Sequence, residues 1–204
     1  APNVSTWIAR ITNAYELKQN LDSTPSEWDE FRRLEVIGQK SEGDPIQPMT
    51  ELEALSRVVN AEGYQSAEQY VVLLSKAGEL RKALASNPAA RAAFEGLIGP
   101  INAENLFAVV GDEDYEKNGG LSRYLEVAPL AQALDEALTE EKNSAALKAF
   151  NHFAVENKTG KDGKPMTQKE AVMNVAGDVD YEKNGGLSRY LVVAPLAQAL
   201  DEAL

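Results

Sequence analysis

The chain has 204 residues, of which 44% are hydrophobic and 25% are charged, and its formal net charge is −12. This composition is typical of a folded globular protein and excludes wholesale disorder. The negative charge repels a phosphate backbone, so nucleic-acid binding is not expected. The chain contains no cysteine, which excludes disulfides, thiolate nucleophiles and thiolate metal sites. No run of about eighteen apolar residues occurs, so a membrane-spanning helix is not expected either.

The length allows one or two domains with a sizeable hydrophobic core. The chain begins with Ala-Pro-Asn rather than Met and shows no signal peptide. A processed exported or periplasmic protein fits this start, and so does a cytoplasmic one.

In the N-terminal helical region, residues 1–86, helix signals follow one another. Capping-box sequences predict helices that begin after Thr24, Thr50 and Ser66. Residues 38–49 contain two glycines and two prolines and are typical of a loop. Helical spacing predicts a first helix from Ser5 to about Leu21, and the residues that share its apolar face are Trp7, Ile8, Ile11, Ala14 and Tyr15.

The second half of the chain continues with helix signals. Asn87 before a proline and Asn102 each predict a helix start, and Ser122 to Leu138 is expected to be helical with a break or kink at Pro129. Thr167 begins another capping box. No segment alternates apolar and polar residues long enough to require a strand. The predicted fold class is all-α, a bundle of about nine to eleven short helices.

A long segment occurs twice. Residues 111–138 and 177–204 agree at 26 of 28 positions. This identity predicts a tandem-duplicated helical module with copy one at 87–138 and copy two at 139–204, and copy two carries about ten additional residues near 156–165.

The two differences between the copies both replace Glu by Val. Glu113 corresponds to Val179, and Glu126 corresponds to Val192. An apolar residue in place of a charge predicts that these positions face water in copy one and are covered by protein in copy two. Duplication followed by neutral drift is the alternative.

An acidic turn opens each near-identical segment and is the candidate metal site. Oxygen-bearing side chains alternate before a glycine pair, a pattern that suits Ca²⁺. The turn resembles the start of an EF-hand loop, although the bidentate Glu that closes such a loop is replaced by Leu125 and Leu191. The alternative is an acid-rich helix cap. The candidate ligands are Asp112, Asp114, Glu116 and Asn118 in copy one and Asp178, Asp180, Glu182 and Asn184 in copy two.

Signals for catalysis are sparse. His152 is the only histidine, which rules out a zinc site built from several His ligands. No G-x-S-x-G elbow presents a serine, and no glycine-rich phosphate loop occurs. A carboxylate-dependent hydrolase remains an alternative because many Asp and Glu are present.

The leading hypothesis is therefore a non-enzymatic helical protein whose acidic surface engages a protein partner, one of basic character by charge complementarity. No cofactor is expected unless the acidic turns bind Ca²⁺. Tyr and Arg are enriched among residues that dominate binding energy at interfaces. The predicted partner-binding residues are Tyr115, Arg123 and Tyr124 and their equivalents Tyr181, Arg189 and Tyr190.

Overall fold

A computed structural model describes residues 4–37, 49–156, 158–160 and 163–203 and confirms the all-α fold class. Over these ranges the chain forms twelve α-helices, slightly more than predicted, and the only β-pairing is an isolated bridge between Thr159 and Pro165. The helices are α1 (Val4–Asp22), α2 (Pro25–Phe31), α3 (Glu51–Asn60), α4 (Ala67–Ser86), α5 (Pro88–Leu97), α6 (Ala103–Val110), α7 (Glu113–Lys117), α8 (Gly120–Thr139), α9 (Ser144–Phe150), α10 (Gln168–Gly177), α11 (Val179–Lys183) and α12 (Gly186–Asp201).

π-Helical turns continue α2 over Arg32–Ile37 and α9 over Asn151–Val155, and a short 3₁₀ turn, Glu141–Asn143, precedes α9. Residues 38–48, most of the predicted loop at 38–49, lie outside the described residues. In the described part of the chain, no helix combines the length and apolar character that crossing a membrane requires.

Most predicted helix starts form as expected. Thr50 and Thr167 each accept a hydrogen bond from the backbone N–H three residues on, and the Glu at that position accepts one in return. The side chains of Asn87 and Asn102 cap α5 and α6 in the same way. The capping box predicted at Thr24 is wrong, because its hydroxyl donates backwards to the carbonyl of Asn20 at 2.9 Å.

Helix α1 turns a different face to the core than predicted. Leu17 and Leu21 are fully buried, whereas the predicted apolar face, including Trp7 and Ile11, is exposed. Helix α1 packs against α3 and α4 with its C-terminal half, so burial follows the position of those two helices rather than the longest apolar stripe.

The acidic turns are short helices rather than loops. Asp112 caps α7 and Asp178 caps α11, each accepting a hydrogen bond at 2.8 Å from the backbone N–H two residues on. A glycine pair with positive φ follows each short helix, which suits glycine because it lacks a Cβ. Helix α8 then runs through Pro129 without ending, with Ala128 and Ala131 fully buried on either side of it.

The chain divides into two compact units. Unit 1 comprises Ala1–Ser86 and Pro100–Gly120, and unit 2 comprises Asn87–Gly99 and Leu121–Leu204. The division of the sequence at 87 and 139 into an N-terminal region and two modules rests on sequence identity and stays a prediction.

Three successive groups of helices share one aromatic contact, although the first group lacks the short helix that α7 and α11 provide in the other two. Helix set 1 is α2, α3 and α4, helix set 2 is α5 to α8, and helix set 3 is α9 to α12. In each set a fully buried Phe of the first helix meets a Tyr of the last helix edge-on, with ring centroids 6.3 to 6.5 Å apart. These pairs are Phe31 with Tyr70, Phe94 with Tyr124, and Phe150 with Tyr190.

Unit 1 buries two carboxylates. Glu30 receives two hydrogen bonds from the guanidinium of Arg81, at 2.5 and 2.9 Å, and packs so closely against Gly78 that a Cβ there would lie 3.0 Å from its Cγ. Glu35 pairs with Arg57 and accepts a hydrogen bond from the hydroxyl of Tyr70 at 3.0 Å. Each buried charge is therefore matched by an arginine, which offsets part of its desolvation cost.

The core of unit 2 forms around the last helix of set 2. Val127, Leu134 and Leu138 of α8 pack with Phe150 of α9 and Val172 of α10 in one buried cluster. Gly177, the last residue of α10, lies beside Val127 and receives a hydrogen bond from Arg123 through its carbonyl at 3.1 Å. Helix α10 is thereby fixed along α8.

Candidate functional site

A shallow cleft of about 570 Å³, widely open to solvent, lies in unit 2 and is the candidate functional site. Its apolar lining residues are Phe153, Ala154, Met166, Ala171 and Val175. Its polar lining residues are Lys158, Asn174, Asp178, Asp180 and Asn184, together with Tyr181 and Tyr190. The cleft thus joins an apolar floor to the acidic turn of copy two.

The floor of the cleft comes from three elements. The π-helical turn after α9 contributes Phe153, the segment before α10 contributes Met166, and α10 itself contributes Val175. The capping box at Thr167 sets where α10 begins and so places Val175 two helical turns further on. Asp178 ends α10 and begins α11, which brings the acidic turn to the edge of this floor.

Tyr181 is the most unusual residue of the cleft. Its side chain is buried, its residue is only 8% exposed, and its hydroxyl has no hydrogen-bond partner in the described part of the chain. Burial and the neighbouring carboxylate of Glu182 raise the pKa of Tyr181. The phenol therefore keeps its proton at neutral pH and can donate or accept a hydrogen bond. A buried polar group without a partner costs free energy, so it needs an explanation.

Tyr190 lies next to Tyr181, with the ring centroids 6.2 Å apart. Burial and then the adjacent Tyr181 raise the pKa of Tyr190 to about 12. Its ring also packs edge-on against Phe150, so the core holds it in place. The two tyrosines form a rigid aromatic wall with neutral hydroxyls at working pH.

The structure places the predicted residues of the two copies differently. In copy two, five of them line the cleft, namely Asp178, Asp180, Tyr181, Asn184 and Tyr190. Glu182 lies beside Gly186, and the side chain of Arg189 lies against Gly185. In copy one, the boundary of the compact units falls after Gly120, so the acidic turn belongs to unit 1 and Arg123 and Tyr124 belong to unit 2.

The copy-one residues make contacts inside their own units. Glu116 pairs with Lys76 at 2.9 Å, and Asn118 ends α7. Burial, followed by Glu116 and Glu79, raises the pKa of Tyr115 to about 12. Arg123 pairs with Glu126 at 3.3 Å and also holds the end of α10, while Tyr124 packs on Phe94. Partner binding through Tyr115, Arg123 and Tyr124 stays a prediction.

The Ca²⁺ hypothesis also stays a prediction. Within the described residues, no three or more carboxylate or histidine side chains converge as metal ligands. Asp112 and Asp178 each cap a short helix, and Lys117 and Lys183 pair with Asp114 and Asp180 at 3.7 and 3.4 Å.

The prediction that Val179 and Val192 are covered within the chain is wrong. These residues are 68% and 63% exposed, and the side chains of Glu113 and Glu126 are 92% and 63% exposed. Both copies therefore present these two positions to solvent, and each exchange adds apolar surface to copy two.

His152 links the π-helical turn after α9 to the end of α12. Its Nε2 lies 3.0 Å from Asp201 and its Nδ1 lies 3.6 Å from Glu156. The hydrogen bond with Asp201, followed by the charges of Asp201 and Glu156, raises the pKa of His152. The sequence offered no signal for this pairing, because Asp201 is 49 residues away.

This pairing is expected to make the stability of unit 2 depend on pH. A His whose pKa is raised by folding stabilises the folded state fully below its unfolded pKa of about 6.5, and this contribution is lost as the pH rises through the raised pKa. Asp201→Asn should return the His152 pKa toward its ordinary value and reduce this loss. NMR titration of the single imidazole, with urea unfolding at about pH 5.5 and 8.5, measures both quantities. An unchanged pKa in Asp201→Asn would contradict the assignment.

Comparison with known proteins adds no further assignment. No family model matches the chain, and neither a curated protein nor a solved structure matches it.

The residues of the acidic rim of the cleft can be named from the sequence, but those of its floor cannot. Phe153, Met166 and Val175 are ordinary apolar residues in three different elements, and only folding brings them together. The Pro-Met-Thr sequence that precedes both α3 and α10 is the one available signal, because it marks equivalent positions in helix sets 1 and 3.

Proposed function

We propose that the chain is a non-enzymatic helical protein that binds a protein partner, and that the cleft of unit 2 receives a segment of that partner with an apolar side chain next to a basic one. The observation that carries this proposal is the lining of the cleft, in which the carboxylates of Asp178 and Asp180 border the apolar side chains of Phe153, Met166 and Val175.

The chemistry of the lining supports this class of partner. Phe153, Met166 and Val175 offer an apolar floor for a hydrophobic side chain, and methionine adapts readily to different shapes. Asp178 and Asp180 offer carboxylate oxygens at the rim for a Lys or Arg. The net charge of −12 also accelerates encounters with a basic partner.

Synthetic peptides that place Lys or Arg beside Leu or Phe test this proposal, with peptides that carry Glu in place of the basic residues as the comparison. We expect the basic peptides to bind, to shift the NMR signals of Tyr181 and Tyr190, and to bind more weakly as salt increases. Asp180→Asn removes a rim charge and is expected to weaken binding about two- to fivefold, as for a solvent-exposed ion pair.

The near-identical acidic turn of copy one supplies matched controls. Asp114→Asn makes the same exchange as Asp180→Asn in a turn that belongs to unit 1. It should leave the affinity of the basic peptides unchanged. Equal losses in the two variants would show that general charge attraction, not the cleft, binds the peptides. Basic peptides that leave the Tyr181 signals unmoved would overturn the proposal.

A further inference from the structure

Helix α12 exposes an apolar face at helical spacing. Val193, Leu196 and Leu200, here called the α12 stripe, are separated by three and four residues and are 44% to 66% exposed. Helix α12 packs on α9 through a different face, which holds the buried residues Ala194 and Gln198. A helix that is apolar around its circumference is typical of a buried position. The α12 stripe therefore has the composition of a covered surface.

Helix α8 carries the same stripe in a covered position. Residues 186–204 repeat residues 120–138 with one exchange. The three equivalents of the α12 stripe in α8 lie in the buried cluster of unit 2 or pack directly against it. These equivalents, here called the α8 stripe, are Val127, Leu130 and Leu134. The element that covers the α8 stripe shows which chemistry the identical residues of α12 can bind.

Helix α10 covers the α8 stripe with a face of small residues. The buried residues Ala171, Val172 and Ala176 of α10 lie in the same cluster as the α8 stripe. A Cβ on Gly177, the last residue of α10, would lie 3.6 Å from Cγ1 of Val127. The distance between two packed helices depends on the side chains at their contact. The small residues of α10 therefore allow it to lie close to α8.

Arg123 adds a polar contact at the end of α10. Its guanidinium donates a hydrogen bond at 3.1 Å to the carbonyl of Gly177. The last carbonyls of a helix have no partner within the helix and carry partial negative charge, so a cation beside them is stabilising. The α8 stripe and Arg123 together recognise a helix by its small apolar face and by its C-terminal end.

Helix α12 presents the equivalent of Arg123 to solvent. Arg189 lies one turn before Val193, on the same face as the α12 stripe. It is exposed, and among the residues that the structure describes its guanidinium has no hydrogen bond or ion pair. In α8, Arg123 also pairs with Glu126 at 3.3 Å, whereas Val192 stands at that place in α12. The exchange removes the carboxylate that would compete for Arg189.

One contact of α8 is not repeated in α12. Asp135 of α8 accepts a hydrogen bond at 2.7 Å from Gln168, the first residue of α10. Its equivalent Asp201 lies 3.0 Å from His152 instead. Helix α12 therefore offers a bound helix the apolar stripe and the arginine, but not this second hydrogen bond.

We infer that the α12 stripe and Arg189 bind a helix of a partner protein that has the chemistry of α10. Such a helix is about three turns long and has alanine, valine or glycine on the face toward α12. It runs antiparallel to α12, with its C-terminal carbonyls at Arg189, because Arg123 near the start of α8 meets the end of α10. This surface is separate from the cleft, since none of its four residues lines the cleft.

An amidated synthetic peptide of residues 165–178 is the probe, because it contains α10 and its Thr167 cap. We expect it to bind the full chain and to shift the NMR signals of the α12 stripe. A helix this short is marginal in water, so part of the binding energy orders the peptide. The expected dissociation constant is therefore on the order of 0.1 to 1 mM. The same peptide with Glu in place of Ala171 and Ala176 should not bind.

Single variants of the chain locate the contact. Leu196→Glu places a charge in the apolar contact and should weaken peptide binding more than about tenfold. Arg189→Gln should weaken it about two- to fivefold, as for a cation at a helix C-terminus. Val72→Glu alters an exposed apolar residue of α4, and Asp180→Asn alters the cleft. Both should leave the affinity of this peptide unchanged.

Three results would overturn the inference. The first is a peptide that leaves the signals of the α12 stripe unmoved or binds Leu196→Glu as tightly as the unaltered chain. The second is a shift at Val127 and Leu134 alone, which would show that the peptide replaces α10 on α8. The third is a shift of the α12 stripe signals with the concentration of the chain alone, which would show that a second copy covers the stripe.

Discussion

Leu134→Ala is expected to lower the free energy of unfolding of unit 2 by about 2 to 5 kcal/mol, and Leu200→Ala by less than about 0.5 kcal/mol. The two leucines occupy equivalent places in α8 and α12, and their neighbours in sequence are the same. Leu134 is fully buried and Leu200 is 63% exposed. The difference between the two losses of unfolding free energy therefore measures what tertiary burial contributes to stability, because the local sequence is the same.

Urea unfolding followed by circular dichroism measures both values. The prediction concerns unit 2 because the two compact units can unfold separately. Equal losses in the two variants would show that α12 is covered to the same extent as α8.

Arg81→Met is expected to lower the free energy of unfolding of unit 1 by about 3 to 5 kcal/mol, because it leaves the buried carboxylate of Glu30 without its partner. The guanidinium donates two hydrogen bonds to that carboxylate, and Gly78 presses on the other side of the Glu30 side chain. Burial of an unpaired charge is among the most destabilising single changes in proteins.

Two further variants separate the charge effect from lost packing. Glu30→Met combined with Arg81→Met replaces the ion pair with apolar side chains and should recover most of the lost stability. Arg91→Met breaks the exposed pair with Glu95 on α5 and should cost less than about 1 kcal/mol. A loss in the double variant as large as in Arg81→Met would show that the guanidinium acts through packing alone.

Local signals in the sequence predicted the helix starts well. Thr50 and Thr167 satisfy backbone N–H groups within three residues, so neither needs the rest of the fold to form its cap. Thr24 has the same sequence pattern, but the carbonyl of Asn20 at the end of α1 accepts its hydroxyl instead. Where a preceding helix offers the capping side chain another hydrogen-bond partner, four residues of sequence do not suffice to predict the cap.

The acidic rim of the candidate site could be predicted from the sequence, but the apolar floor could not. The acidic turn is a continuous stretch of sequence, so Asp178, Asp180 and Tyr181 could be named in advance. The floor of the cleft depends on a π-helical turn and on where α10 begins, and its residues carry no chemical signature. The aromatic contact that helix set 1 shares with the other two sets could not be predicted from the sequence, because Phe31 and Tyr70 are 39 residues apart.

The sequence by itself determined that this chain is helical, where most of its helices begin, and that it carries one acidic turn twice. These properties depend on caps, glycines and apolar spacing within a few residues. Only the tertiary structure decided which of two nearly identical helices is buried, since Leu134 and Leu200 differ in the helices packed around them and not in their own sequence. The tertiary structure also decided that the cleft forms beside the acidic turn of copy two, because burial and ion pairing depend on residues far apart along the chain.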